Sequence, residues 1–171
     1  LRDKLGYVPQ KGVLFSGTID SNIRYGKPEI TDAQVKEAAE VAQATEFIDT
    51  KPEKYKSPVS QGGTNVSGGQ KQRLSIARAI AKDPEIFIFD DSFSALDFKT
   101  DSQLRKALKE YTKDATTVIV AQRISTILGA DQIIVLDDGH MAGIGTHKEL
   151  MANCEVYQQI ARSQLSEEEL A

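Results

Sequence analysis

The chain has 171 residues, 40% apolar and 27% charged, enough for one ordinary globular core and short for two. Its 21 basic and 25 acidic side chains leave a net charge of −4, with Lys and Arg scattered rather than gathered into a stripe, which speaks against a nucleic-acid-binding surface. One cysteine, Cys154, excludes a disulfide framework, His140 and His147 complete no zinc spacing, and no window approaches the ~18 unbroken apolar residues of a membrane span, so a reducing, cytosolic setting is expected.

The start, Leu1-Arg2-Asp3-Lys4, is neither a signal peptide nor an initiator methionine, and the chain reads as beginning within something longer. Thr31 and Gln34 fit a capping box, in which side chain and backbone satisfy each other's donors. Val35, Ala38, Ala39 and Ala42 then continue one helical face. Leu74 to Ala81 has helical composition, and Ile86-Phe87-Ile88-Phe89 is a continuous apolar run suited to a strand. A further helix is expected from a capping box at Thr100 and Gln103, with Leu104, Ala107, Leu108 and Tyr111 on its buried face.

Two more strand-like runs follow, Thr117-Val118-Ile119-Val120-Ala121 and Ile133-Ile134-Val135-Leu136. Continuous β-branched runs of this kind suit strands buried on both faces of a parallel sheet. Asp137-Asp138-Gly139-His140 predicts a tight turn into a weaker strand, Met141 to Ile144, and Thr146 with Glu149 opens another helix. Alternation of strand and helix gives an α/β fold with a mostly parallel sheet flanked by helices. The tail from Ser166 to Ala171 is acidic and expected to fray.

Two stretches carry chemistry. In Asn65-Val66-Ser67-Gly68-Gly69-Gln70-Lys71-Gln72-Arg73, a serine and two glycines open a helix and leave backbone N–H groups at its positive end, an arrangement suited to phosphate. Its plain alternative is an N-capped helix with a flexible entry loop. In Ile86 to Asp91 a hydrophobic strand ends in two carboxylates, Asp90 and Asp91, at the edge where α/β sheets bind ligands. An aspartate there can support Mg²⁺ through water, and the plain alternative is a solvated strand end.

Taken together these segments resemble the nucleotide-binding domain of exporter-type ABC transporters. Ser67-Gly68-Gly69-Gln70 is similar to the family's signature motif, with Val66 where Leu is usual. Asp90 matches the Walker B aspartate and Ser94-Ala95-Leu96-Asp97 the D-loop. Tyr7-Val8-Pro9-Gln10 resembles the Q-loop. Leu14-Phe15-Ser16-Gly17-Thr18-Ile19 with Asn22-Ile23, and Gly145-Thr146-His147-Lys148-Glu149-Leu150 with Tyr157, follow as in exporters.

The resemblance implies Mg-ATP bound between two nucleotide-binding domains arranged head to tail beside transmembrane domains, at the cytoplasmic face of the membrane. Gln10 would touch the metal, Asp90 would hold Mg²⁺ through water, and Ser67, Gly68 and Gly69 would face the γ-phosphate of the partner's nucleotide. Gln70 and Asp97 would belong to the same nucleotide-binding set. It further implies a helical signature subdomain over roughly residues 11–82, and the Walker B, D-loop, switch and C-terminal part of the core over roughly 83–165.

Several positions depart from the pattern. The catalytic position after Asp90 holds Asp91 in place of the usual Glu, and a side chain one methylene shorter retreats from the attacking water by about an ångström or more. The switch histidine is replaced by Gln122, which hydrogen-bonds but carries no positive charge, and Gln61 stands where exporters commonly carry an acid. An intact signature beside a weak base and switch resembles the degenerate-site subunit of a heterodimeric exporter; the alternative is a homodimer with a sluggish site.

The phosphate loop, Gly-x4-Gly-Lys-[Ser/Thr], cannot be drawn anywhere: the only Gly-Lys pair, Gly26-Lys27, has Ser21 and Pro28 at the flanking positions. The chain is therefore expected to be the C-terminal portion of such a domain, inactive in isolation, with the Ile86 to Phe89 strand short of a neighbour. A soluble ABC ATPase acting on nucleic acid or ribosomes, or a non-catalytic interaction piece, are the alternative functions. His140, His147 and Cys154 are expected to be structural, and Lys71-Gln72-Arg73 a solvated helix face.

Overall fold

In a computed structural model, described here for residues 2–166, the chain divides into two compact units, residues 1–120 and residues 121 onward. In the first unit, strands β1 (Leu5–Val8), β4 (Ile86–Asp90) and β5 (Thr116–Val120) form a parallel sheet in the order β1-β4-β5. The register pairs Tyr7 with Ile88 and Val8 with Phe89 on one side of β4, and Asp90 with Val120 on the other. Between β1 and β4 the chain makes a short antiparallel pair, β2 (Gly17–Thr18) with β3 (Pro58–Val59), and the helices α1 (Ile19–Ile23), α2 (Asp32–Val41), α3 (Thr45–Asp49) and α4 (Gly68–Ala81).

Local signals explain most of the boundaries. Thr31 caps α2 in a reciprocal box with Gln34, and Val35, Ala38, Ala39 and Ala42 are buried as the periodicity requires. The α5 helix (Phe98–Tyr111) starts earlier than the expected Thr100 cap. Asp97 is the N-cap and accepts from the Thr100 amide at 3.0 Å, because a carboxylate is the stronger acceptor for an orphan helix donor. Leu74, Ile76 and Ile80 of α4, Phe87 and Phe89 of β4, and Leu104 and Leu108 of α5 share one core. Gly6 allows β1 to run against α4, since a Cβ there would meet Pro84 Cγ at 2.7 Å and the Ala79 carbonyl oxygen at 3.3 Å.

Two expectations are corrected. The Ile86 to Phe89 strand is not short of a neighbour: β1, drawn from the start of the chain, lies on one side of it and β5 on the other. Among the described residues the strands that pair on one side only in this sheet are its two edges, β1 and β5. Nor are the apolar runs buried on both faces; Phe87 and Phe89 are buried, whereas Val118 and Val120 are 47% and 52% exposed, because the core packs on one face of the sheet.

The second unit contains α6 (Ile124–Ile127), a hairpin of β6 (Ile133–Asp137) and β7 (His140–Gly145), α7 (His147–Asn153) and α8 (Glu155–Gln164). The predicted turn forms with Asp138 and Gly139 both at positive φ, 45° and 77°, the conformation that a two-residue primed hairpin demands. Ile133, Val135, Leu150, Cys154 and Tyr157 make its core, while Ile134, Leu136, Met141 and Ile144 are exposed on the hairpin. Thr146 caps α7 with Glu149 as expected. No helix among the described residues is long and apolar enough to cross a membrane. Of the acidic tail at 166–171, all but Ser166 lies outside the described residues.

Candidate functional site

Because β1 and β4 run parallel and in register, their carboxyl ends open side by side, and the segments that leave them meet. The Gln10 amide nitrogen donates to Asp91 Oδ2 at 3.0 Å, and the Tyr7 phenol donates to Asp90 Oδ2 at 3.1 Å. The buried Ser92 hydroxyl donates to the Val8 carbonyl at 2.8 Å, and the Asp91 amide donates to the Val120 carbonyl at 2.8 Å, so one side-chain and one backbone bond tie the Asp91 turn to both neighbouring strands. Asp91 itself sits at φ +45°, a left-handed conformation that costs a non-glycine residue and turns the chain sharply after Asp90. The hydrogen bond to Asp90 raises the Tyr7 phenol above its ordinary pKa, since ionisation would place two anions together.

The signature segment occupies the start of α4. Ser67 Oγ accepts from the Gln70 amide and the Gln70 side chain accepts from the Ser67 amide, both at 3.2 Å, which completes a capping box and sets the first turn. The ideal Cβ position of Gly68 meets nothing within 4 Å, so this end of the helix can be approached closely by a ligand. Gly69 faces the D-loop, where a Cβ would lie 3.5 Å from the Ala95 carbonyl oxygen. Asp97 is engaged as the α5 cap, accepting from Thr100 Oγ1 at 2.6 Å. That bond, then the Thr100 amide, holds its carboxyl below the usual aspartate range.

The signature helix and the Q-loop are joined directly. Gln72, 1% exposed, donates to the Pro9 carbonyl at 3.0 Å, and Gly12 lies so near α4 that a Cβ would meet the Lys71 carbonyl oxygen at 2.8 Å. The expected solvated face of Lys71, Gln72 and Arg73 is thus corrected. Gln72 is buried, Lys71 donates to the Gly62 carbonyl, and Arg73 stacks over Phe47 while donating to the Gln43 carbonyl at 2.6 Å. Its position four residues before Ile76 and three before Ser75, both buried, was a readable sign that Gln72 points inward.

Among the predicted site residues, Gln10, Asp90 and Asp91 are brought together, and Ser67 to Gln70 lie against the D-loop that ends in Asp97. Gln122 belongs to the second unit, where its carbonyl accepts from Gln164 at 2.8 Å and the same amide group accepts from the Ile124 backbone at 2.8 Å. Tyr7, Gln72, Ser92 and Gln164 escaped sequence reasoning, since each works through a partner 40 or more residues away. No group of three or more His, Cys, Asp or Glu that could cage a metal occurs among the described residues. Hard oxygen donors from one or two side chains suit Mg²⁺, which retains much of its water and takes its remaining ligands from phosphates.

The fold is an α/β domain with adjacent parallel strand ends and a helix that starts at two glycines, features found where α/β sheets bind ligands. A family model described as ABC transporter matches residues 1–94. An uncharacterized ABC transporter ATP-binding protein of Mycobacterium tuberculosis is 47% identical over 163 residues, covering 94% of this chain and 28% of that protein. A putative multidrug export ATP-binding/permease protein of Staphylococcus aureus is 46% identical over 160 residues, again 94% of this chain and 28% of the relative. A solved structure of a bacterial Atm1-family ABC exporter with ATP bound superposes with a TM-score of 0.92 at 39% identity, covering 97% of this chain and 29% of that one. The chain belongs to the ABC transporter family and spans under a third of the length of these relatives.

Proposed function

We propose that this chain is part of the ATP-binding and ATP-hydrolysing engine of an exporter-type ABC transporter, at the cytoplasmic face of the membrane, and that it comes from the subunit with the degenerate ATP site. In this reading Asp90 supports Mg²⁺ through water, Gln10 contributes to the same metal, and Asp91 and Gln122 stand at the base and switch positions. Ser67, Gly68, Gly69 and Gln70 complete the γ-phosphate site of a second nucleotide-binding domain, with Asp97 beside them, in a head-to-tail heterodimer coupled to transmembrane domains.

The observation that carries this reading is the contrast between the two halves of the site. The signature helix start is capped and open, whereas the base position holds the short carboxylate of Asp91, tied by Gln10. A carboxylate that is both withdrawn and engaged is a poor acceptor for the proton of attacking water. Replacing Asp91→Glu and Gln122→His in the complete heterodimer, with the partner's own catalytic base substituted so that only this site reports, is expected to raise ATP turnover by about tenfold or more, within the range of general-base contributions. Unchanged turnover overturns the degenerate-site reading.

The missing phosphate loop supports a second statement about the 171-residue chain by itself. Without the backbone amides and lysine that cradle the β- and γ-phosphates, it is expected to bind Mg-ATP no more tightly than about millimolar. Calorimetric titration measures this, and micromolar affinity overturns it.

A further inference from the structure

Tyr7 lies on the outward face of its strand. It is 55% exposed, while its neighbours Gly6 and Val8 are buried. The register places Tyr7 opposite Ile88, and Asp90 lies two residues further along β4, on the same face of the sheet. That diagonal separation is one that an aromatic side chain spans, and the phenol ends 3.1 Å from Asp90 Oδ2. A hydroxyl donating to a carboxylate is a directional, charge-assisted bond, so it restricts rotation of the Asp90 carboxyl and occupies one of its two oxygens.

We propose that Tyr7 is a positioning residue for the metal site: its hydroxyl holds Oδ2 of Asp90, fixing the carboxyl so that Oδ1 is left for the water shell of Mg²⁺. The inference rests on the reading of Asp90 as the magnesium-supporting aspartate. The side chain then acts as the outer partner of a metal ligand, the kind of group whose removal weakens metal affinity without touching the ion.

The test uses the full-length protein assembled with its partner, with Mn²⁺ as the probe. Binding of Mn²⁺ in the presence of ATP is followed by electron paramagnetic resonance for the wild type, Tyr7→Phe, Tyr7→Leu and Asp90→Asn. The Asp90→Asn titration marks the signal that does not come from this site. Tyr7→Phe keeps the ring and removes only the hydroxyl. It is expected to weaken the Asp90-dependent Mn²⁺ binding by about tenfold, with Tyr7→Leu no worse than twofold beyond it.

Unaltered Mn²⁺ affinity in Tyr7→Phe, with binding lost in Asp90→Asn, overturns the role of Tyr7 and leaves the reading of Asp90 standing. Wild-type behaviour of Tyr7→Phe with impaired Tyr7→Leu assigns the side chain to packing and overturns it equally. Unchanged Mn²⁺ binding in Asp90→Asn overturns the metal reading itself, and the inference with it.

Discussion

Gln72 shows how much one polar side chain contributes when it is buried at the right place. Its amide nitrogen bonds the Pro9 carbonyl, one residue before Gln10, and so fixes the base of the loop whose tip reaches Asp91. Replacing it by an apolar residue of similar size leaves the Pro9 carbonyl without this donor, at a cost of about 1–3 kcal/mol. Gln72→Leu is therefore expected to lower the unfolding free energy of the chain by that amount, read as a lower urea midpoint at unchanged slope, and to speed amide exchange in residues 9–12. An unchanged midpoint would mean that water replaces the donor at no cost. Nothing local predicted this bond: helical periodicity shows that Gln72 points inward, but its partner is 63 residues away and is set by the packing of α4 on the Q-loop.

At the scale of elements, helix caps were the most legible feature, because a cap is a contract among residues three apart. Thr31 with Gln34 and Thr146 with Glu149 form as read, and Ser67 with Gln70 makes a further box of the same kind. The cap misplaced on Thr100 failed for a physical reason: Thr100 sits at the third helical position after Asp97 and serves as donor to it, by both amide and hydroxyl. The carboxyl of Asp97 is held below its ordinary range by those bonds, so its stabilisation is complete above the unfolded aspartate value, near about 4, and is lost as pH falls through the depressed folded value. The stability advantage of the wild type over Asp97→Asn is accordingly expected to be flat from neutral pH down to about 5 and to shrink below about 4, as read from thermal melts across pH. A difference independent of pH would assign the cap to geometry alone. The Gln10 and Asp91 contact, by contrast, depends on the register of β1 against β4, which no motif spacing encodes.

Over the whole chain, the strand runs were legible but their burial was not, because a continuous apolar run specifies two buried faces without saying which layers cover them. In the first unit β5 closes one side of β4, and on its other edge no strand pairs with it among the described residues. Val118 and Val120 stand half exposed along it, with Thr116 completing the same face. An apolar parallel strand with open backbone donors and acceptors is a template for pairing with another chain. The open edge expected at the Ile86 to Phe89 strand, which has two neighbours, is thus found at Thr116–Val120, and with it a tendency to self-associate. The isolated chain is expected to show light scattering that grows with concentration, and a lysine at Val118 or Val120 is expected to suppress it, because a charge on this face must be desolvated on pairing while the core, packed on the opposite face, is untouched. Scattering that persists unchanged in both Val118→Lys and Val120→Lys would remove β5 as the site of association and direct attention to the exposed Ile134, Leu136, Met141 and Ile144 of the hairpin.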